Sequence, residues 1–131
     1  MVQRRYYRQI VIRYISLPIQ EDENAEIDYI YQCLGLGDER DNVGLLVFRA
    51  LVRASMKGTG ISSRDLMQLS EVSQAAVIYH LNLFQRSGLV IRDGRIYRLR
   101  GDNLEQSLGE MQNDMHRRFD HLKEIAKNLN K

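Results

Sequence analysis

One cysteine, one proline and no tryptophan occur in 131 residues. The single Cys33 has no partner for an internal disulfide, so a reducing, cytoplasmic setting is expected. It lies near an apolar helical face and reads as a small buried hydrophobe. That one thiol and three scattered histidines leave little from which to build a metal site. His116 and His121 are five apart and do not share a helical face, so neither metal nor other cofactor is expected. Apolar runs last only a few residues, far short of the roughly 20 that span a bilayer, and no membrane partner is expected. Arg13 and Pro18 interrupt the segment after Arg4, Arg5 and Arg8, so a signal peptide is not expected. Gly35 and Gly37 stand too close together for a nucleotide loop. No nucleophile–base pair of usable spacing is present, and an enzyme is not expected.

The chain does hold the makings of one ordinary soluble domain, with 44% hydrophobic and 27% charged residues. Its net charge of +2 hides a segregation along the sequence. Residues 1–15 carry +4, residues 16–42 carry −7, residues 43–100 carry +6 and residues 101–131 carry −1. A basic central block beside a nearly neutral tail points to one surface that attracts polyanions.

Arg8 to Ser16 is rich in β-branched and aromatic residues and reads as a strand ended by Pro18. From Glu23, Ile27, Ile30, Tyr31 and Leu34 mark one face of a helix, with acids in its first turn and Gly35 or Gly37 as its stop. The acidic run Glu21 to Glu26 reads as a solvated helix start. A second helix is expected from about Asp41 to Met56. One stripe on it holds Val43, Leu46, Val47, Ala50, Leu51 and Ala54, and another holds Leu45, Phe48 and Val52. Only Asn42, Gly44, Arg49 and Arg53 break the apolar surround, and a helix apolar on most sides is buried between two partners. After the turn Lys57 to Gly60, Ser62 or Ser63 caps a short helix through Ser70, with Leu66, Met67 and Leu69 inward. Ser73 caps a helix from Gln74 to about Ser87, with Val77, Leu81 and Phe84 buried, His80 beside them and Gly88 as the stop. His80 reads as a structural residue. Asp93-Gly94 then marks a two-stranded hairpin between Leu89–Arg92 and Arg95–Arg100, and the pattern leaves its buried face open.

Two helices, a tight turn, a third helix and a hairpin follow the order of a winged helix-turn-helix. The stretch Leu69-Ser70-Glu71-Val72-Ser73-Gln74-Ala75-Ala76-Val77-Ile78-Tyr79-His80-Leu81, with Leu83-Phe84 and Ser87-Gly88-Leu89-Val90, resembles the ArsR-type winged-helix transcriptional regulators over Asp41 to Arg100. The shared features are a Val-x-x-His-Leu core and a Gly-Leu-Val run into the wing. The resemblance implies that Ser73, Gln74, Ala75, Ile78, Tyr79 and Asn82 face double-stranded DNA and that the wing tip reaches its backbone. Arg92, Arg95 and Arg98 are the expected phosphate contacts, and Ser63 and Arg64 complete the candidate DNA-binding set. The paired cysteines of the family's metal sensors have no counterpart on this recognition helix, so a thiolate metal sensor is not expected.

Leu104, Leu108, Met111, Met115, Arg118, Leu122, Ile125 and Leu129 step by alternating fours and threes. That is a heptad seam broken only by Arg118, and it reads as a dimerisation helix. The expected fold is therefore mainly α with a small β-hairpin (α+β). It comprises a strand–helix extension (1–40), a winged-helix DNA-binding domain (41–100) and a C-terminal coiled-coil-like dimerisation helix (101–131). The expected function is a sequence-specific, homodimeric DNA-binding transcriptional regulator whose effector the sequence does not name. The alternative is a winged-helix module that binds protein or RNA in the transcription or translation machinery. Ile78 and Tyr79 on the reading face keep that alternative open. A ligand sensor would need a pocket, which Tyr29 and Tyr31 could help to wall.

Overall fold

Asp22 opens the first helix by accepting a hydrogen bond from the Ala25 amide at 2.7 Å, and Gly35 closes it at φ 65°. The structure, a computed structural model, describes residues 22–37 and 42–130. The strand expected over Arg8 to Ser16 lies outside the described residues. The elements run α1 (Glu23–Leu34), α2 (Asn42–Met56), β1 (Ile61–Ser62), α3 (Ser63–Ser70), α4 (Gln74–Arg86), β2 (Val90–Asp93), β3 (Ile96–Leu99) and α5 (Leu104–Leu129). The protein is mainly helical, with a small antiparallel sheet and a long C-terminal helix.

α2 sits at the centre, against α1, α3, α4 and the sheet. Its buried face is Gly44, Val47, Phe48, Leu51 and Val52, flanked by half-buried Val43, Leu45 and Ala50. This differs from the two expected stripes. Leu46 points almost opposite to the middle of that face and stays 39% exposed. Gly44, which looked like a break in the apolar surround, lies in the contact itself. A Cβ there would come within 2.2 Å of Tyr31 Oη and 2.8 Å of His80 Nδ1. Only glycine lets α1 and α4 approach α2 this closely.

Three rings bind these helices. Tyr31 of α1 lies 5.2 Å from Phe48 and 6.2 Å from Phe84, and Phe48 lies 6.3 Å from Phe84. Val77, Leu81 and Phe84 of α4 are fully buried, as their spacing predicts. His80 is buried beside them. The core runs without a break from Ile27 on α1 to Met111 on α5. Outside it, Arg49 holds Asp28 through two hydrogen bonds, one from Nε at 2.7 Å, and Arg53 pairs with Glu23. The acidic start of α1 is thus tied to α2 rather than only solvated. Cys33 is half-buried.

α3 corrects one expectation. Leu66 is buried and Met67 half-buried, which sets the middle of the inward arc between them. Leu69 falls some 110° away from that middle at 100° per residue and is 70% exposed. α3 ends at Glu71, whose backbone sits in the left-handed region at φ 54°.

The hairpin gains a third strand. β1 pairs with β3 through Ile61–Tyr97 and Ser62–Ile96, giving the order β1-β3-β2. Two residues of strand carry too little pattern to be read from sequence. Gly94 at φ 64° takes the first place of a two-residue loop, the pattern of a II′ turn. The buried face is Val90, Tyr97 and Leu99.

α5 is fastened at its start. Asn103 accepts from the Gln106 amide at 2.7 Å, and the Gln106 side chain accepts from the Asp102 amide at 2.6 Å. Ser107, fully buried, accepts from the Gly101 amide at 2.8 Å. Arg100 reaches across to Asp114 with two nitrogens and lies 3.7 Å from Glu110. The hydrogen bond from Arg100 holds the Asp114 carboxyl below the usual carboxylate range, outweighing partial burial.

Candidate nucleic-acid interface

Ser73 caps α4 by accepting from the Ala76 amide at 3.2 Å, leaving Gln74 and Ala75 exposed at its first turn. Asn82 and Arg86 are exposed further along the same helix. Tyr79 is 60% exposed and meets His80 edge-on at 5.1 Å. Ile78 is half-buried against the edge of the core, so only part of it faces outward. The exposed side of α4 is therefore small and amide-bearing at its start and aromatic at its middle.

α3 packs on α4 and brings Arg64, exposed, and Ser63, half-buried. Ser62 is the cap, accepting from the Asp65 amide at 3.1 Å. Because Ser62 pairs with Ile96, the start of α3 lies beside the turn end of the hairpin. Arg64 and Arg95 are thereby brought to one neighbourhood, although 31 positions separate them.

The three hairpin arginines do not act from one side. Arg92 is in register with Tyr97 and shares its face, while Arg98 is in register with Ile91 on the other. Strands alternate their side chains, so the two point apart. Arg92 lies over the Tyr97 ring, 5.4 Å from its centroid, and donates from Nε to the Gly94 carbonyl at 2.8 Å. Its two terminal nitrogens remain for an anion. Arg98 is half-buried and donates only to the Leu99 carbonyl at 3.3 Å. Arg95 stands exposed at the turn.

The arginines divide by place. Arg49, Arg53, Arg100 and Arg117, on α2, after β3 and on α5, each hold a carboxylate. Among the described residues, Arg64, Arg86, Arg92, Arg95 and Arg98 on α3, α4 and the hairpin form no ion pair, and elsewhere Arg118 on the exposed half of α5 is the one arginine that forms none. Arg86 was not among the sequence candidates. Its place in the last turn of the helix beside exposed Asn82 was the available signal.

The seam residues separate into two sets. Met111 is buried, and Leu104, Leu108 and Met115 are half-buried. Leu122, Ile125 and Leu129 are exposed, and Phe119, absent from the heptad reading, is exposed with them. Among the described residues no helix is long and apolar enough to cross a membrane. No group of His, Cys, Asp or Glu suited to a metal ion occurs among them. No family model matches the chain, and neither a curated protein nor a solved structure shows significant similarity to it.

Proposed function

We propose that the protein is a sequence-specific DNA-binding transcriptional regulator, a winged helix-turn-helix acting as a homodimer. The supporting observation is the division of the arginines. Five on α3, α4 and the hairpin have no carboxylate partner among the described residues, whereas four of the five elsewhere do, Arg118 on α5 being the exception. Cations kept clear of acids attract phosphate. In this reading α4 enters the major groove from its first turn, with Gln74 at base edges and Ala75 allowing close approach. Arg64 and Arg95 meet the flanking backbone, and Arg92 reaches it from the inner side of the wing. Regulation is by occupancy: bound at its operator, the protein blocks or recruits polymerase.

Selection from a random duplex pool tests the reading. A recovered site with two-fold symmetry, bound with an affinity that falls steeply as salt rises, supports it. A pool that stays random, with flat salt dependence, refutes it. Leu69 and Tyr79, exposed at 70% and 60%, favour the second reading, a module that binds a protein partner through this surface. Substituting Leu69, which lies outside the DNA-facing set, by a polar residue leaves specific DNA affinity nearly unchanged in the first reading and weakens partner binding in the second.

A further inference from the structure

α5 has 26 residues, a length of about 39 Å at 1.5 Å per residue, and its two halves have different surroundings. The first half is held by its own domain through Ser107, Arg100 and Met111. From His116 to Asn130 every side chain is exposed, and Phe119, Leu122, Ile125 and Leu129 form an apolar stripe along that free half. On the same face, the first half opens onto a groove of about 730 Å³ between α1 and α5. Ile30, Leu34, Leu104, Leu108, Met111 and Met115 line it. One helix thus carries both an apolar groove and an uncovered apolar stripe, the pair of surfaces a self-complementary contact needs.

We propose that the groove receives the C-terminal half of α5 from a second copy of this chain, running antiparallel. This rests on the homodimer part of the reading above and not on DNA binding. Spacing selects the direction first. The seam positions from 104 to 129 are symmetric about the midpoint between residues 116 and 117. A two-fold axis there sets position 104 against 129, 108 against 125, 111 against 122, and 115 against 118. Each of the first three layers joins a groove residue of one copy to an uncovered residue of the other.

Charge selects the same direction. Residues 104–115 carry three acids and no base, while residues 116–130 carry four bases and two acids. Antiparallel pairing lays the negative half of one helix along the positive half of the other. Parallel pairing lays like on like and stacks Arg118 on its own counterpart. Arg118, the one break in the seam, then falls in the antiparallel layer opposite Met115, with Asp114 beside it.

A nitroxide at Asn128→Cys, in a Cys33→Ser background, reads the direction by pulsed dipolar spectroscopy, and sedimentation reads the oligomeric state. An antiparallel dimer places the two labels about 35 Å apart along the helix axis at 1.5 Å per residue. A parallel dimer brings them to about the 8–10 Å between helix axes, plus the label arms. A dimer with the long distance, turned into monomer by Leu122→Glu, is the expected result. A dimer with the short distance overturns the antiparallel arrangement and leaves the homodimer standing. A monomer at every concentration overturns both, while the duplex selection still reads DNA binding separately.

Discussion

Replacing Gly44 by alanine tests how closely α1 and α4 are locked together across α2. The new methyl would lie 2.2 Å from Tyr31 Oη and 2.8 Å from His80 Nδ1. Neither neighbour yields easily. Tyr31 stands between Phe48 and Phe84, and His80 is buried 6.3 Å from the Phe84 ring. Overpacking a core costs about 1–3 kcal/mol. Two simultaneous clashes put this case near the top of that range. Against it stands the gain of about 1 kcal/mol for alanine over glycine inside a helix. The expected net loss is about 2 kcal/mol, read from urea unfolding followed by circular dichroism, with the thermal midpoint several degrees lower. Tyr31→Phe removes the nearer clash and leaves the histidine, so the double variant should recover part of the loss. The cycle should show coupling of about 0.5–3 kcal/mol. If Gly44→Ala is as stable as the parent, or about 1 kcal/mol more stable as helix propensity alone would give, the close approach is not what selects glycine.

Four further outcomes are expected from the geometry and the proposed function. Asp114 is held below the ordinary carboxylate value by Arg100, so its contribution is complete above about pH 4 and is lost as pH falls through the depressed folded value. Asp114→Asn should flatten that acid limb of the stability curve and lower stability at pH 7. Truncation after His116 keeps Ser107, Met111 and Asp114 and removes the uncovered stripe, so it should give a folded monomer in sedimentation. Gln74→Ala should cost about 1–3 kcal/mol at one base position and leave non-specific affinity intact. Arg95→Ala should weaken all sequences alike and make the salt slope shallower by about 1.

Helix starts and stops were legible because they are local. Ser73, Gly35 and Gly94 each act on backbone groups within a few residues and each sits where its chemistry predicts, although the loop falls one residue later than expected, at Gly94-Arg95, with Asp93 ending β2. The stripe Val77, Leu81, Phe84 was legible because α4 buries one face. α2 was not read in full, because it touches neighbours on several sides and apolar residues alone do not say which side is left over. Leu46 is that side. Gly44 was misread for a related reason: a missing side chain registers as an interruption until the groups that fill its space are known. In α3 the hydrophobic pattern over eight residues could not fix the arc, and Leu69 fell outside it. On the hairpin, composition promised three arginines acting together. Strand alternation, already implicit in the sequence, sends Arg92 and Arg98 to opposite faces once the register is fixed. The proximity of Arg64 to Arg95 depends on the two-residue β1, which no local pattern announces.

The anchoring of α5 and the proposed antiparallel pair together constrain the DNA site. Ser107 fixes α5 to its own domain, nine to ten residues from the seam's midpoint. Two copies related by an axis at that midpoint have their Ser107 anchors about 29 Å apart along the helix pair at 1.5 Å per residue. The aromatic cluster of Tyr31, Phe48 and Phe84 ties α1 and α4 into one close-packed unit. The separation of the two copies of α4 is then fixed as well, and the DNA-binding proposal requires it to match the 34–36 Å between successive major grooves on one side of the duplex. The selected site should accordingly show two half-sites whose centres are about 10 base pairs apart. Inserting five base pairs between them turns one half-site to the far side of the helix, and affinity should fall to that of a single half-site. If the insertion leaves affinity unchanged, the two reading helices are not fixed by the α5 pair, and either the anchoring or the antiparallel arrangement is wrong. The nitroxide distance at residue 128 tells which.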